Sequence, residues 1–135
     1  QRANSLRLLN HLQGAEGVVL PVETPASRYN YHLFPVLMAD RPERDAMVAA
    51  LLRRNVDTSR IYFDLLDRVR ANNYTGGCPI SEAAAGRMLT LPNHSALSLS
   101  DIDRVAQAFQ ESLREVRCGR QRNPEQKQSR QEVAA

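Results

Sequence analysis

A chain of 135 residues, 42% hydrophobic and 24% charged, has the length and composition of one globular domain with a modest core. No run approaches the roughly 20 consecutive apolar residues of a membrane-spanning helix, and the opening QRANSLRLLN lacks the basic-then-apolar order of a signal peptide, so the chain reads as cytoplasmic, with no membrane partner. The formal net charge of +3 is interleaved with acids, as in Arg41-Pro42-Glu43-Arg44-Asp45 and Asp67-Arg68-Val69-Arg70, which fits a mixed solvated surface better than a nucleic-acid partner.

In chain order, Arg2 to Gln13 reads as a helix with an apolar stripe of Leu6, Leu9 and Leu12, Leu8 alongside, and Gly14 as its stop. It carries no start signal, which suggests a helix continued from something larger. Glu16 to Pro21 suggests a turn and a short strand, followed by a loop that Pro25 keeps irregular. The strongest strand candidate is Tyr29 to Met38, YNYHLFPVLM, where Pro35 implies an edge position or a break in pairing. Asp40 is placed to cap a helix with Pro42 in its first turn, Ala46, Met47, Ala50 and Leu51 on its buried face and Asn55 as its stop.

Val56 to Leu66 admits two readings. The Arg60 guanidinium suits a diphosphate, and Tyr62 or Phe63 suits stacking on a base or sugar. Alternatively Tyr62, Phe63, Leu65 and Leu66 are core, with Arg60 on the rim. Gly76-Gly77 fits no phosphate-binding loop and reads as a hinge or turn.

From Cys78 the boundaries are chemically marked. Ser81 is a candidate cap for a first turn holding Glu82, Pro92 ends the extended piece before it, and Ser98-Leu99-Ser100-Asp101 offers a cap of the Ser-x-x-acid type. Ile102, Val105, Ala106, Phe109, Leu113 and Val116 then keep helical spacing, opposite Asp103, Arg104, Glu111 and Arg114. Residues 118–135 read as a disordered basic tail, solubilising rather than nucleic-acid binding. Cys78 and Cys118 show no CxxC or Cys/His spacing, and His11, His32 and His94 share no ligand spacing, so free thiols and no metal site are expected.

The ordered set Cys78-Pro79-x-x-Glu82, Leu89-Thr90-Leu91-Pro92 and Leu97-Ser98-x-x-Asp101-Ile102-x-x-Val105 resembles the carboxy-terminal end of the DegT/StrS family of nucleotide-sugar aminotransferases, enzymes dependent on pyridoxal phosphate (PLP). Arg2-Ala3-Asn4 and Gly17 to Pro21 match the family's domain junction, so the resemblance runs from Arg2 to about Leu113 and implies that residues 1–13 end a helix from a preceding large domain and that residues 14–117 form the small C-terminal domain; Thr90 replaces the usual serine. It implies an α+β fold: a small, mostly antiparallel sheet from strands near Val18, Tyr31, Val56 and Thr90, covered by helices, as in the C-terminal domain of fold-type-I PLP enzymes. It also implies a homodimer that moves an amino group from glutamate or glutamine to a keto sugar on a nucleotide carrier. Thr58, Arg60, Tyr62 and Phe63 fall on positions that line the sugar end of the cleft, although Asn55 replaces a glycine and Asp64-Leu65-Leu66 lacks the family's proline and histidine; His32 matches a position often held by histidine in the family and reads either as a further substrate-binding candidate or as a structural residue of its strand.

Transamination needs a lysine for the Schiff base, and the only lysine is Lys127. The chain alone is therefore expected to bind no cofactor, carry no catalytic residue and depend on a missing large PLP-binding domain. The alternative is a stand-alone, non-catalytic interaction module derived from that domain.

Overall fold

The computed structural model describes residues 1–60, 71, 73 and 78–122. Among them are helices α1 (Arg2–Leu12), α2 (Arg41–Arg53), α3 (Pro79–Arg87) and α4 (Leu99–Arg122), and strands β1 (Phe34–Leu37) and β2 (Met88–Leu91). The fold is α+β, as the sequence indicates. No described helix is long and apolar enough to cross a membrane.

The two long central helices begin and end for local reasons. The Asp40 carboxylate accepts from the Glu43 amide at 2.7 Å, and Pro42 occupies the first turn, where a missing N–H costs nothing. At the other end Asn55 is left-handed (φ 58°), and the amides of Asn55 and Val56 donate back to the Leu52 and Leu51 carbonyls at 3.0 Å each. That is a Schellman ending with asparagine in the glycine position. For α4, the Ser98 amide donates to Asp101 at 3.0 Å while the Asp101 amide donates to the Ser98 hydroxyl at 3.2 Å, a reciprocal capping box.

Ser81 does not cap α3. The helix starts earlier, with Cys78 flanking and Pro79 in the first turn, because the fixed proline φ already suits helix entry, and Ser81 lies inside it. Likewise α4 runs on through Cys118–Arg122, beyond where the tail was expected to begin. Arg117 and Arg120 hold that last stretch: Arg117 donates to Glu43 at 2.9 Å and to the Glu16 carbonyl at 2.6 Å, and Arg120 chelates Asp40 at 2.9 and 2.7 Å.

β1 and β2 pair antiparallel with Phe34 opposite Leu91 and Leu37 opposite Met88. The expected outer strands shrink to single antiparallel bridges, Val19 with Leu37 and Ser59 with Thr90. The strand expected over Tyr29–Met38 is confined to its second half, because Tyr31 is left-handed (φ 51°) and breaks the extended run.

One apolar core joins these elements. The α4 face of Ile102, Val105, Ala106, Phe109, Leu113 and Val116 is buried, as the spacing predicts, against Leu8 and Leu12 of α1, Met47, Ala50 and Leu51 of α2, and Phe34, Val36, Leu89 and Leu91 of the sheet. The α1 stripe is rotated from the expected one: Leu6 is exposed, and Asn4, Ser5, Leu8 and Leu12 face inward. Ion pairs fix how α4 sits. Arg7 chelates Asp103 at 2.6 and 2.7 Å, His11 meets the same carboxylate at 2.8 Å, and Arg54 reaches Glu115 at 2.8 Å. The Arg7 guanidinium draws the Asp103 pKa down to about 2. Arg44, fully buried on α2, pairs with Asp45 at 2.8 Å and donates to the Met88 carbonyl at 3.3 Å, and burial lowers its pKa.

Phe109 lies in the middle of the buried α4 face, with no exposed surface. Phe109→Ala is expected to cost about 3–5 kcal/mol, measured by urea unfolding. Ile80→Ala, at a residue 86% exposed, should stay within about 0.5 kcal/mol of the parent.

Candidate functional site

The sheet stops pairing on one side for a covalent reason. Leu37 exchanges both backbone bonds with Val19, at 3.0 Å each, so the amide positions of Leu37 and Pro35 face outward while Met38 bonds inward to Arg87. Continued by two residues, the Val19–Leu37 register would set Pro21 against Pro35. Neither has an N–H, so the ladder cannot extend. Beyond this point lies an open hollow of about 510 Å³, lined by Pro21, Pro35 and the segment from Arg28 to Leu33.

That segment is neither helix nor strand, and side chains hold its backbone. The Tyr29 amide donates to Glu23 at 3.0 Å, and the Tyr29 carbonyl accepts from Arg2 at 2.9 Å. The His32 amide donates to Asn30 at 3.0 Å, and the His32 carbonyl accepts from Gln1 at 3.4 Å. The Tyr31 carbonyl accepts from Asn93 at 2.8 Å. A left-handed backbone costs a tyrosine about 1–2 kcal/mol, and the surroundings offset that cost. The Tyr31 ring is buried, with the Arg2 guanidinium 5.6 Å from its centroid and the Tyr29 ring edge-on at 5.9 Å. Burial raises the Tyr31 pKa. Arg2 also forms a two-point pair with Glu23, whose pKa falls to about 2, first through that hydrogen bond.

The sequence-derived candidates do not converge on one point among the described residues. His32 is exposed and lines the hollow. Thr58 and Arg60 flank Ser59 on the opposite edge, beyond β2. Arg60 is half-exposed and lies 3.9 Å from Asp45, the carboxylate that Arg44 contacts and Arg41 also approaches to 3.9 Å. Tyr62, Phe63 and Gly76-Gly77 lie outside the described residues. A second hollow of about 270 Å³ sits between Asn55–Asp57 and the start of α4, with His94 on its wall.

Apolar spacing missed the residues that shape the first hollow. Asn4, Ser5 and Asn93 are polar and buried: Asn4 donates to the His94 carbonyl at 3.0 Å, and Asn93 donates to the Ser5 hydroxyl at 2.9 Å. Their one local signal is an asparagine directly after Pro92, a residue type suited to satisfying turn backbone.

The DegT/DnrJ/EryC1/StrS aminotransferase family model matches residues 1–110. Among solved structures, the aminotransferase TlmJ from Streptoalloteichus hindustanus is similar at 31% identity and a TM-score of 0.73, over 85% of this chain and 31% of its own. A putative sugar aminotransferase, Spr1654 from Streptococcus pneumoniae in its PMP form, superimposes with a TM-score of 0.74 at 18% identity, over 85% of this chain and 30% of its own. A DegT DnrJ EryC1 StrS aminotransferase from Brucella abortus gives 0.66 at 23% identity, over 82% and 29%. The last two are likenesses of fold. The chain thus spans less than a third of the length of these aminotransferases. No curated protein matches it in sequence.

The Arg2–Glu23 pair has a pH signature. The Glu23 pKa drops on folding from an ordinary 4.5 to about 2, so its stabilisation is complete above about 4.5 and is lost as the pH falls through about 2. Glu23→Gln should lower the unfolding temperature at neutral pH, with the gap closing across that window. A gap of constant size down to pH 2 in thermal unfolding would assign the effect to packing instead.

Proposed function

Because the chain belongs to the DegT/DnrJ/EryC1/StrS aminotransferase family, we propose that it is the small C-terminal domain of a PLP-dependent sugar aminotransferase. In this reading it closes over the sugar side of the cleft during amino transfer to a nucleotide-linked keto sugar. The observation that carries the reading is the family match over residues 1–110 in a chain that spans only about 31% of TlmJ. The rest of the enzyme, a large PLP-binding domain, is its first partner, and a second copy completes a cytoplasmic homodimer.

The residues present do not fit PLP itself. The described residues include no lysine, and the one lysine in the sequence is Lys127, so no described side chain can form the Schiff base. The contribution of this chain is binding and orientation. The His32 imidazole, exposed at the hollow, offers a donor and an acceptor to sugar hydroxyls. Arg60 offers a fixed fork to the diphosphate, with Asp45 limiting where the guanidinium rests. Thr58 supplies a hydroxyl on the same edge, and Tyr62 and Phe63 supply rings that stack on the base or sugar. Binding energy of this kind lowers KM without performing the chemical step.

The test uses the full-length enzyme with PLP, L-glutamate and a panel of uridine-, thymidine- and guanosine-diphosphate keto sugars. Turnover of one of them is expected, and Arg60→Ala should raise the KM for that sugar about tenfold while leaving PLP absorbance unchanged. Silence across the panel overturns the reading. Wild-type kinetics in the variant makes Arg60 a structural residue.

A further inference from the structure

Phe34, Val36 and Met38 point into the core while Pro35 and Leu37 are half-buried, the alternation of a strand with one covered face. Carried back by two residues, that alternation would bury His32 and expose Tyr31. The molecule does the opposite: Tyr31 is 3% exposed and His32 is open to the hollow. The change of phase coincides with the left-handed Tyr31 backbone (φ 51°).

What holds the phase change is one amide. Asn93 is 5% exposed, and its NH₂ group donates to the Tyr31 carbonyl at 2.8 Å and to the Ser5 hydroxyl at 2.9 Å, using both hydrogens. The other grips on residues 29–32, from Gln1, Arg2, Glu23 and Asn30, lie at the surface or partly so, where water can stand in for them. The Asn93 bond is buried, so its loss strands a carbonyl in a dry site. Asn93 itself is fixed by the turn after β2, which Asn4 of α1 ties down through the His94 carbonyl at 3.0 Å.

We propose that Asn93 is the positioning residue of the hollow: by holding the Tyr31 carbonyl it keeps Tyr31 left-handed, its side chain buried, and so leaves the exposed His32 side chain to meet the sugar ligand. This rests on the sugar-binding role of His32 argued above.

The experiment is a double-mutant cycle in the full-length PLP enzyme, with L-glutamate and whichever nucleoside-diphosphate keto sugar of the panel it turns over. Asn93→Ala should raise the sugar KM about tenfold with kcat within about twofold, the pattern of lost ligand binding. Asn93→Leu fills the same space without a donor, so it gives the same shift even where the alanine variant folds poorly. In a His32→Ala background neither substitution should raise KM further, since both act through the same side chain. If His32→Ala raises KM and the Asn93 variants do not, or if the two effects multiply, the positioning role is overturned and the sugar-binding role of His32 stands. If His32→Ala itself leaves KM unchanged, that role falls, and the inference falls with it.

Discussion

The apolar face of α4 is the surface on which the rest of the molecule is laid. A two-stranded sheet with one bridge on each side cannot stand alone in water, and neither α1 nor α2 has the length to persist unpacked. The two helices gain their place by covering part of the stripe from Ile102 to Val116, and the sheet joins the same core beside α2. The charged groups beside that stripe orient more than they stabilise. Exposed pairs contribute about 0–1 kcal/mol each, but Arg7 with Asp103 near one end of α4 and Arg120 with Asp40 near the other allow it a single rotation and register.

A second constraint is negative. Pro21 and Pro35, which a continued Val19–Leu37 register would set opposite each other, cannot extend the ladder and leave the chain from Tyr29 to His32 without one to join. Backbone groups that a strand would have paired are paired instead by side chains drawn from α1, from Glu23 and from the turn after β2. Irregular backbone held in this way is sensitive to single side chains, whereas a ladder shares its load among many bonds.

This division explains what was legible in the sequence. α2 and α4 could be read from residues alone, because caps, period and stops lie within a few positions of one another: Asp40 and Asn55, Ser98 and Asp101, the apolar run of α4. The pieces near Val18 and Thr90 were legible as extended chain, but the single-bridge pairing of Val19 and Ser59 depends on partners far away in sequence. Tyr29 to Phe34 alternates like a strand, and nothing local marks the break at Tyr31, whose cause is Asn93. The inward turn of Asn4 and Ser5 on α1 was hidden because polar residues carry no apolar period, and their partners, the His94 carbonyl for Asn4 and the Asn93 amide for Ser5, lie far away in sequence. His32 was legible as a residue type worth noting. The hollow it faces was not, since that depends on two prolines far apart in sequence lining it.

Folding and presentation are thus assigned to different residues. The helices and their apolar seam determine whether the chain folds, through many contacts that each contribute a little. The small polar cluster of Asn4, Ser5 and Asn93 lies at the edge of that seam and determines which side chain of the Tyr31–His32 pair is buried. A strand-like alternative for residues 29–32 would differ from the observed arrangement by one residue of phase and would take Tyr31 out of the core, leaving the helical seam in place. A change there can alter the face shown to a ligand while the fold persists, and the surface of this domain is for that reason more adjustable than its interior.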